Sequence, residues 1–181
     1  MHTASTHPAP RIHLVIGPVG AGKSTFVRHL VQQHRAVPLN LDDWMATLFS
    51  PDRPDTADMA DVMAWYVPRT LRCLAQIWKT AEAVLDAGHD VVLEVGLIQQ
   101  HQRDAFYARM GPWADAMVVY VLDAPREVRR ERVLRRNAEQ GATFSMVVPP
   151  HIFELASDLW QPPGDVECAE RTVVFVPMAE R

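Results

Sequence analysis

Cysteine is nearly absent from this 181-residue chain, with Cys73 and Cys168 its only two. Two isolated thiols match no metal-ligand spacing and cannot build a disulfide framework. A reducing, cytoplasmic setting follows as the expectation. Long apolar runs are missing too, and none reaches the roughly 20 residues needed to span a bilayer. Residues 1–10 are small and polar, are interrupted by Pro8 and Pro10, and lack the apolar core of a signal peptide. They read as a flexible lead-in to a single domain over residues 11–181. Strong charge of either sign is lacking: the formal net charge is −4 and the pI about 6.0. No global field therefore draws the chain to nucleic acid. His2, His7 and His13 are too scattered along the sequence to argue for a metal site. Internal repeats are absent. What remains is 48% hydrophobic and 22% charged residues, a globular composition in a chain long enough to bury a full core.

Glycine is also scarce, eight in all, yet three fall in Gly17-Pro18-Val19-Gly20-Ala21-Gly22-Lys23-Ser24-Thr25. This stretch matches the phosphate-binding loop G-x-x-x-x-G-K-[ST] at every fixed position. Gly17, Gly20 and Gly22 allow backbone N–H groups, that of Ala21 among them, to approach phosphate oxygens. Lys23 brings positive charge to the β- and γ-phosphates, and Ser24 brings a hydroxyl to Mg²⁺. The helix that begins there, with Thr25 in its first turn, turns its positive end to the anion. A dinucleotide-binding G-x-G-x-x-G is excluded, because Thr25 stands where the third glycine belongs. The expected ligands are a nucleoside triphosphate, taken as ATP, and Mg²⁺.

Strand and helix patterns alternate throughout, which predicts an α/β fold with a parallel sheet covered on both faces. Strands are expected at residues 11–16, 36–41, 90–95, 116–122 and 172–176. Helices are expected at 23–34, 99–110 and 125–140, with a last one near 150–160. Pro38 cannot donate to a sheet ladder, so the second strand belongs at an edge. Pro68 should divide the helical stretch 57–87 in two, and Gly88 should stop it.

Open α/β sheets collect functional groups beyond the carboxyl ends of their strands. Asp42 and Asp43 follow the second strand there. Asp42 is the candidate base or hydroxyl ligand, with Asp43 beside it and Trp44 bordering an acceptor pocket. Either aspartate could instead cap a helix beginning at Trp44. Glu94 ends the third strand after three apolar residues and could hold the Mg²⁺ shell through water, or bind an acceptor. Arg129, Arg132 and Arg136 share one face of a later helix. Arg132 and Arg136 are the candidates to place charge over a transferring phosphoryl group. The alternative is a solvated helix whose arginines pair with Glu127 and Glu131. Arg103, early in the helix after the third strand, could contact an anionic acceptor.

Taken together, the loop, Asp42-Asp43 and the arginines of residues 130–136 resemble the small P-loop kinases. The resemblance is to the predicted-kinase group of AAA-domain ATP-binding proteins, related to polynucleotide 5′-hydroxyl kinases, zeta toxins and chloramphenicol phosphotransferases. It spans residues 12–176. It implies a three-layer P-loop NTPase fold with a five-stranded sheet in the adenylate-kinase-like order 2-3-1-4-5 and an arginine-bearing lid. It also implies Asp42 at the base position and Arg132 and Arg136 as lid arginines. Ring-shaped motor ATPases are a poor match, since no aspartate–glutamate pair ends the third strand. Asn40-Leu41-Asp42 replaces the Ser/Thr-Arg-Asp common in polynucleotide kinases. The implied activity is an ATP- and Mg²⁺-dependent kinase acting on a hydroxyl of a small molecule. The alternatives are a polynucleotide 5′-hydroxyl kinase and a non-catalytic, ATP-binding regulatory or toxin-type module.

Overall fold

The computed structural model describes residues 9–55, 58–141 and 146–177. Strand β1 (Ile12–Ile16) is buried at every position, because both faces of the sheet are covered there. It lies between β3 (Val91–Glu94) and β4 (Met117–Leu122). Strand β2 (Val37–Asn40) lies outside β3, and β5 (Thr172–Val176) lies outside β4. Every pairing is parallel, in the order β2-β3-β1-β4-β5. The expected order holds, and Pro38 stands on an edge strand. Parallel pairing brings the carboxyl ends to one rim: Asn40 is opposite Glu94, and Ile16 is opposite Val121.

The strand alternation assigns each face its helices. Ile12, Leu14, Ile16, Val91, Leu93, Val119 and Val121 form one apolar layer with α2 (Leu41–Leu48), α3 (Met59–Asp86) and α4 (Gln100–Met110). The other layer joins Val15, Val92 and Leu122 to Val27 and Leu30 of α1 (Lys23–His34). Burying such a side chain fully stabilises the fold by about 1.5–3 kcal/mol. After β4 come α5 (Arg126–Glu139), α6 (Pro150–Asp158) and α7 (Asp165–Glu170).

Three expectations need correction. Pro68 does not split the long helix: α3 runs unbroken through it for 28 residues. Pro68 and Ala64, whose carbonyl loses its helical partner, both lie on the exposed face, where water can replace the missing donor. The next carbonyl, that of Trp65, accepts a 2.8 Å hydrogen bond from Arg69 Nη1. Neither Asp42 nor Asp43 caps a helix. Helix α2 starts at Leu41, three residues earlier than expected, and its cap is Asn40. The helix at 150–158 is not the last, since α7 follows it. At six residues, α7 is too short to leave a periodic signal. Gly88 does end α3, at φ +83°.

Arg103 also meets a different environment from the one expected. Its side chain is fully buried, donating Nε (2.8 Å) and Nη2 (2.9 Å) to the two oxygens of Glu167 and Nη1 (2.8 Å) to the Gln161 carbonyl. Tyr107, one turn on, donates to Glu167 Oε1 at 2.7 Å. Arg103 thus ties α4 to α7 through Glu167 and to the segment before α7 through Gln161, and its buried side chain leaves no surface for an acceptor. Burial pushes the Glu167 carboxyl up, but the Arg103 and Tyr107 hydrogen bonds outweigh it and hold the group below its usual value. A carboxylate depressed in this way stabilises the fold above its unfolded pKa of about 4.3 and loses that contribution as pH falls. Arg103→Ala is therefore expected to destabilise the protein by about 3–5 kcal/mol at neutral pH, since it strands a buried carboxylate. In denaturant melts the gap from wild type should narrow as pH drops below about 4.

Candidate active site

The phosphate loop is held where β1 passes under the start of α1. A Cβ on Gly17 (φ +149°) would stand 2.0 Å from the carbonyl oxygen of Leu122, at the end of β4. One on Gly20 (φ +80°) would stand 2.6 Å from the Arg129 carbonyl oxygen. Glycine is required at both positions by close backbone approach as well as by conformation. Arg129 completes the seat. It is buried, and it donates to the Val19 carbonyl (3.2 Å), the Ala124 carbonyl (2.9 Å) and Ser157 Oγ (3.0 Å). Of the three arginines expected on one face, this one fixes the loop to α5 and α6.

A cavity of about 670 Å³ opens over the loop, within the range of small-molecule clefts. Lys23, Ser24, Asp42, Glu94, Arg132, Arg135 and Arg136 line it, together with the loop backbone from Val19 to Thr25. Asp43 and Trp44 do not contribute to its wall. Asp43 is exposed on the first turn of α2, and Trp44 packs against the main apolar layer.

The polar groups at the strand ends are joined in a chain. Ser24 Oγ donates to Glu94 Oε1 (3.1 Å), and Asn40 Nδ2 donates to Glu94 Oε2 (3.0 Å). Asn40 Oδ1 in turn accepts the backbone N–H groups of Asp42 (2.8 Å) and Asp43 (3.2 Å). Glu94 is buried but has partners on both oxygens, which answers the cost of an unpaired charge in a core strand. In the sequence Asn40 stood out only as a departure from the polynucleotide-kinase motif, although asparagine two residues before an acidic helix turn is a favoured cap.

Electrostatics tie the group together. Lys23 donates to the Pro18 carbonyl at 3.1 Å. Burial draws its ammonium below the ordinary value, while Glu94 and Asp42 hold it up and Arg136 and Arg129 oppose them. Asp42 is exposed to solvent, yet the protein packed around it raises its pKa, against the pull of Lys23 and Arg136. Burial raises Glu94 likewise, with Lys23 opposing. Burial raises the phenol of Tyr66 in α3, and the charge of Asp42 adds to the shift.

The arginines of α5 divide by direction. Arg126 pairs with Glu154 (2.6 Å) and Asp158 (2.8 Å), and Arg130 pairs with Glu154 (2.7 Å) and Glu127. Only the Arg130–Glu127 pair matches the solvated-helix reading; the other partners, Glu154 and Asp158, belong to α6. Arg132 and Arg136 face the cavity, and Arg136 Nε is buried with no hydrogen-bond partner among the described residues. A buried guanidinium donor beside a charged cleft is left for a ligand to satisfy.

An AAA-domain family model matches residues 12–149. The chain belongs to this AAA-domain family. Solved structures share its fold. A predicted kinase from Chloroflexus aurantiacus is 20% identical with a TM-score of 0.66, covering 93% of this chain and 88% of the other. A sugar kinase from Janibacter sp. is 19% identical (TM-score 0.57; coverage 92% and 84%). Kti12 of Chaetomium thermophilum, solved in complex with ADP-AlF3, is 15% identical (TM-score 0.62; coverage 91% and 88%). At these identities the likeness is one of fold. No curated protein matches the chain in sequence. No helix among the described residues is long and apolar enough to cross a membrane.

Proposed function

We propose that this AAA-domain protein is an ATP- and Mg²⁺-dependent kinase that transfers a phosphoryl group to a hydroxyl of a small molecule. The observation that carries the reading is the convergence of Lys23, Asp42, Glu94 and Arg136 on one cavity above the phosphate loop. The loop backbone would cradle the triphosphate of ATP. The 3.1 Å approach of Ser24 Oγ to Glu94 puts a hydroxyl and a carboxylate together, an oxygen set that suits Mg²⁺. Ser24 would hold the ion directly and Glu94 through water. Bound there, Mg²⁺ offsets charge on the phosphates.

Asp42 accepts the proton of the acceptor hydroxyl as its oxygen bonds to the γ-phosphorus and the bond to the β–γ bridging oxygen breaks. ADP leaves, and the proton passes from Asp42 to solvent. Lys23 and Arg136, with Arg132 one turn away, lie against the charge that develops on the transferring group. A small acceptor suits the charge pattern better than a polynucleotide does. Two of the α5 arginines are already neutralised by Glu127, Glu154 and Asp158, and phosphate tracking needs an open basic groove.

Asp42→Asn tests the assignment. Because Asn40 supplies the cap, the substitution removes charge and basicity without removing a helix stop, and the effect on stability should stay within about 1 kcal/mol. Acceptor phosphorylation should collapse while ATP affinity stays near wild type. In the wild type, activity should fall on the acid side above the ordinary carboxylate range, because a raised Asp42 must lose its proton to act. A variant that keeps both its melting temperature and its turnover would remove Asp42 from the chemistry.

A further inference from the structure

A second polar cluster lies at the opposite end of α1 from the phosphate loop, and the proposed reaction uses none of it. The alternation of β1 that sends Ile12 and Leu14 to the main apolar layer turns His13 toward α1. There it meets His34, in the last turn of α1, at a ring-centroid separation of 4.3 Å. Asp90, immediately before β3, completes the group. His13 Nε2 is 3.1 Å from Asp90 Oδ2. One ligand atom from each of His13, His34 and Asp90 falls within 4.8 Å of the other two.

We propose that His13, His34 and Asp90 form a three-ligand site for a divalent transition metal of the zinc class. Two imidazoles and a carboxylate are the donor set such ions take, with a fourth position left to water. At zinc–ligand distances of about 2.0–2.1 Å, the donors of a tetrahedron stand about 3.4 Å apart. The His13–Asp90 pair is already close to that separation. His34 is half-buried and, among the described residues, makes no hydrogen bond, so rotation of its side chain can bring in the third donor.

The outer atoms of the first two ligands are also engaged, as in established metal sites. His13 Nδ1 is 3.3 Å from the Tyr120 hydroxyl, and Asp90 Oδ1 accepts the Arg11 backbone N–H at 2.9 Å. The carboxyl end of α1 adds partial negative charge that favours a cation. Metal binding takes the Nε2 lone pair, so the single ring proton of a neutral His13 moves from Nε2 to Nδ1, where it donates to the Tyr120 hydroxyl. Without metal, the same atoms make an ordinary histidine–aspartate hydrogen bond.

The test is a zinc titration of the full chain with Mg²⁺ and a non-hydrolysable ATP analogue in excess, so that the phosphate-loop donors are occupied. Wild type should bind one zinc, gain thermal stability from it, and give the visible absorption of tetrahedral cobalt when Co²⁺ replaces zinc. His34→Ala should weaken zinc binding about 100-fold, and Tyr120→Phe about 10-fold. Should alanine lower the metal-free melting temperature, His34→Gln provides the same comparison. Absence of stoichiometric zinc in the wild type, or equal affinity in the His34 variants, overturns the proposal.

Discussion

Lys23→Ala is expected to bring phosphoryl transfer to the detection limit, a loss on the order of 10³-fold, and to weaken ATP binding as well. The ammonium sits at the head of α1, where Glu94 and Asp42 favour its charge and Arg136 and Arg129 oppose it. Its hydrogen bond to the Pro18 carbonyl keeps it folded over the loop, where the β- and γ-phosphates of ATP would lie. No neighbouring lysine can replace it. Its structural role is confined to that contact with a loop carbonyl, so the melting temperature should move by no more than a few degrees. Turnover near the wild-type rate with an intact fold would remove the loop from catalysis.

Arg136→Ala should lower kcat by about 10³-fold or more, and by more than it weakens ATP binding, because such a group acts mainly on charge in the transition state. Arg132→Ala should have the same sign and a smaller effect. Arg136 is the residue of the two that shifts both Lys23 and Asp42, and it carries the unpartnered buried donor. Its removal has a second consequence. Asp42 loses a cation that lowers its pKa, so the acid limb of the rate profile should move to higher pH. A purely structural role for Arg136 would leave that limb in place. Losses within about threefold for both variants would return these arginines to the solvated face of α5.

The parts of the site legible in the sequence are those encoded locally. The phosphate loop needs nine consecutive residues, and its strand and helix flank it directly. The rim position of Asp42 and Glu94 follows from strand ends that an apolar run marks well. The edge placement of β2 was readable from Pro38 alone. What was hidden depends on partners distant in sequence. Arg103 looked like an anion contact because Glu167, its partner, lies 64 residues away and only the packing of α7 brings it near. The three-way division of the α5 arginines is set by Glu154 and Asp158 of α6 and by the loop carbonyl of Val19. Helical spacing could put Arg129, Arg132 and Arg136 on one face but could not say that the first would be buried beneath the loop. Pro68 misled for the opposite reason. The local rule that proline breaks helices assumes a carbonyl with nowhere to turn, and on an exposed face water is available.

The central claim is that a hydroxyl of a small molecule receives the γ-phosphoryl group at Asp42. Incubating the protein with ATP, Mg²⁺ and a panel of metabolites, nucleosides and antibiotics, followed by mass spectrometry, tests it most directly. The prediction is that one acceptor class gains a single phosphate, matched mole for mole by ADP, and that Asp42→Asn abolishes the gain while still binding ATP. ATP turnover with no acceptor-dependent product in any class, or a product formed equally well by Asp42→Asn, would contradict it.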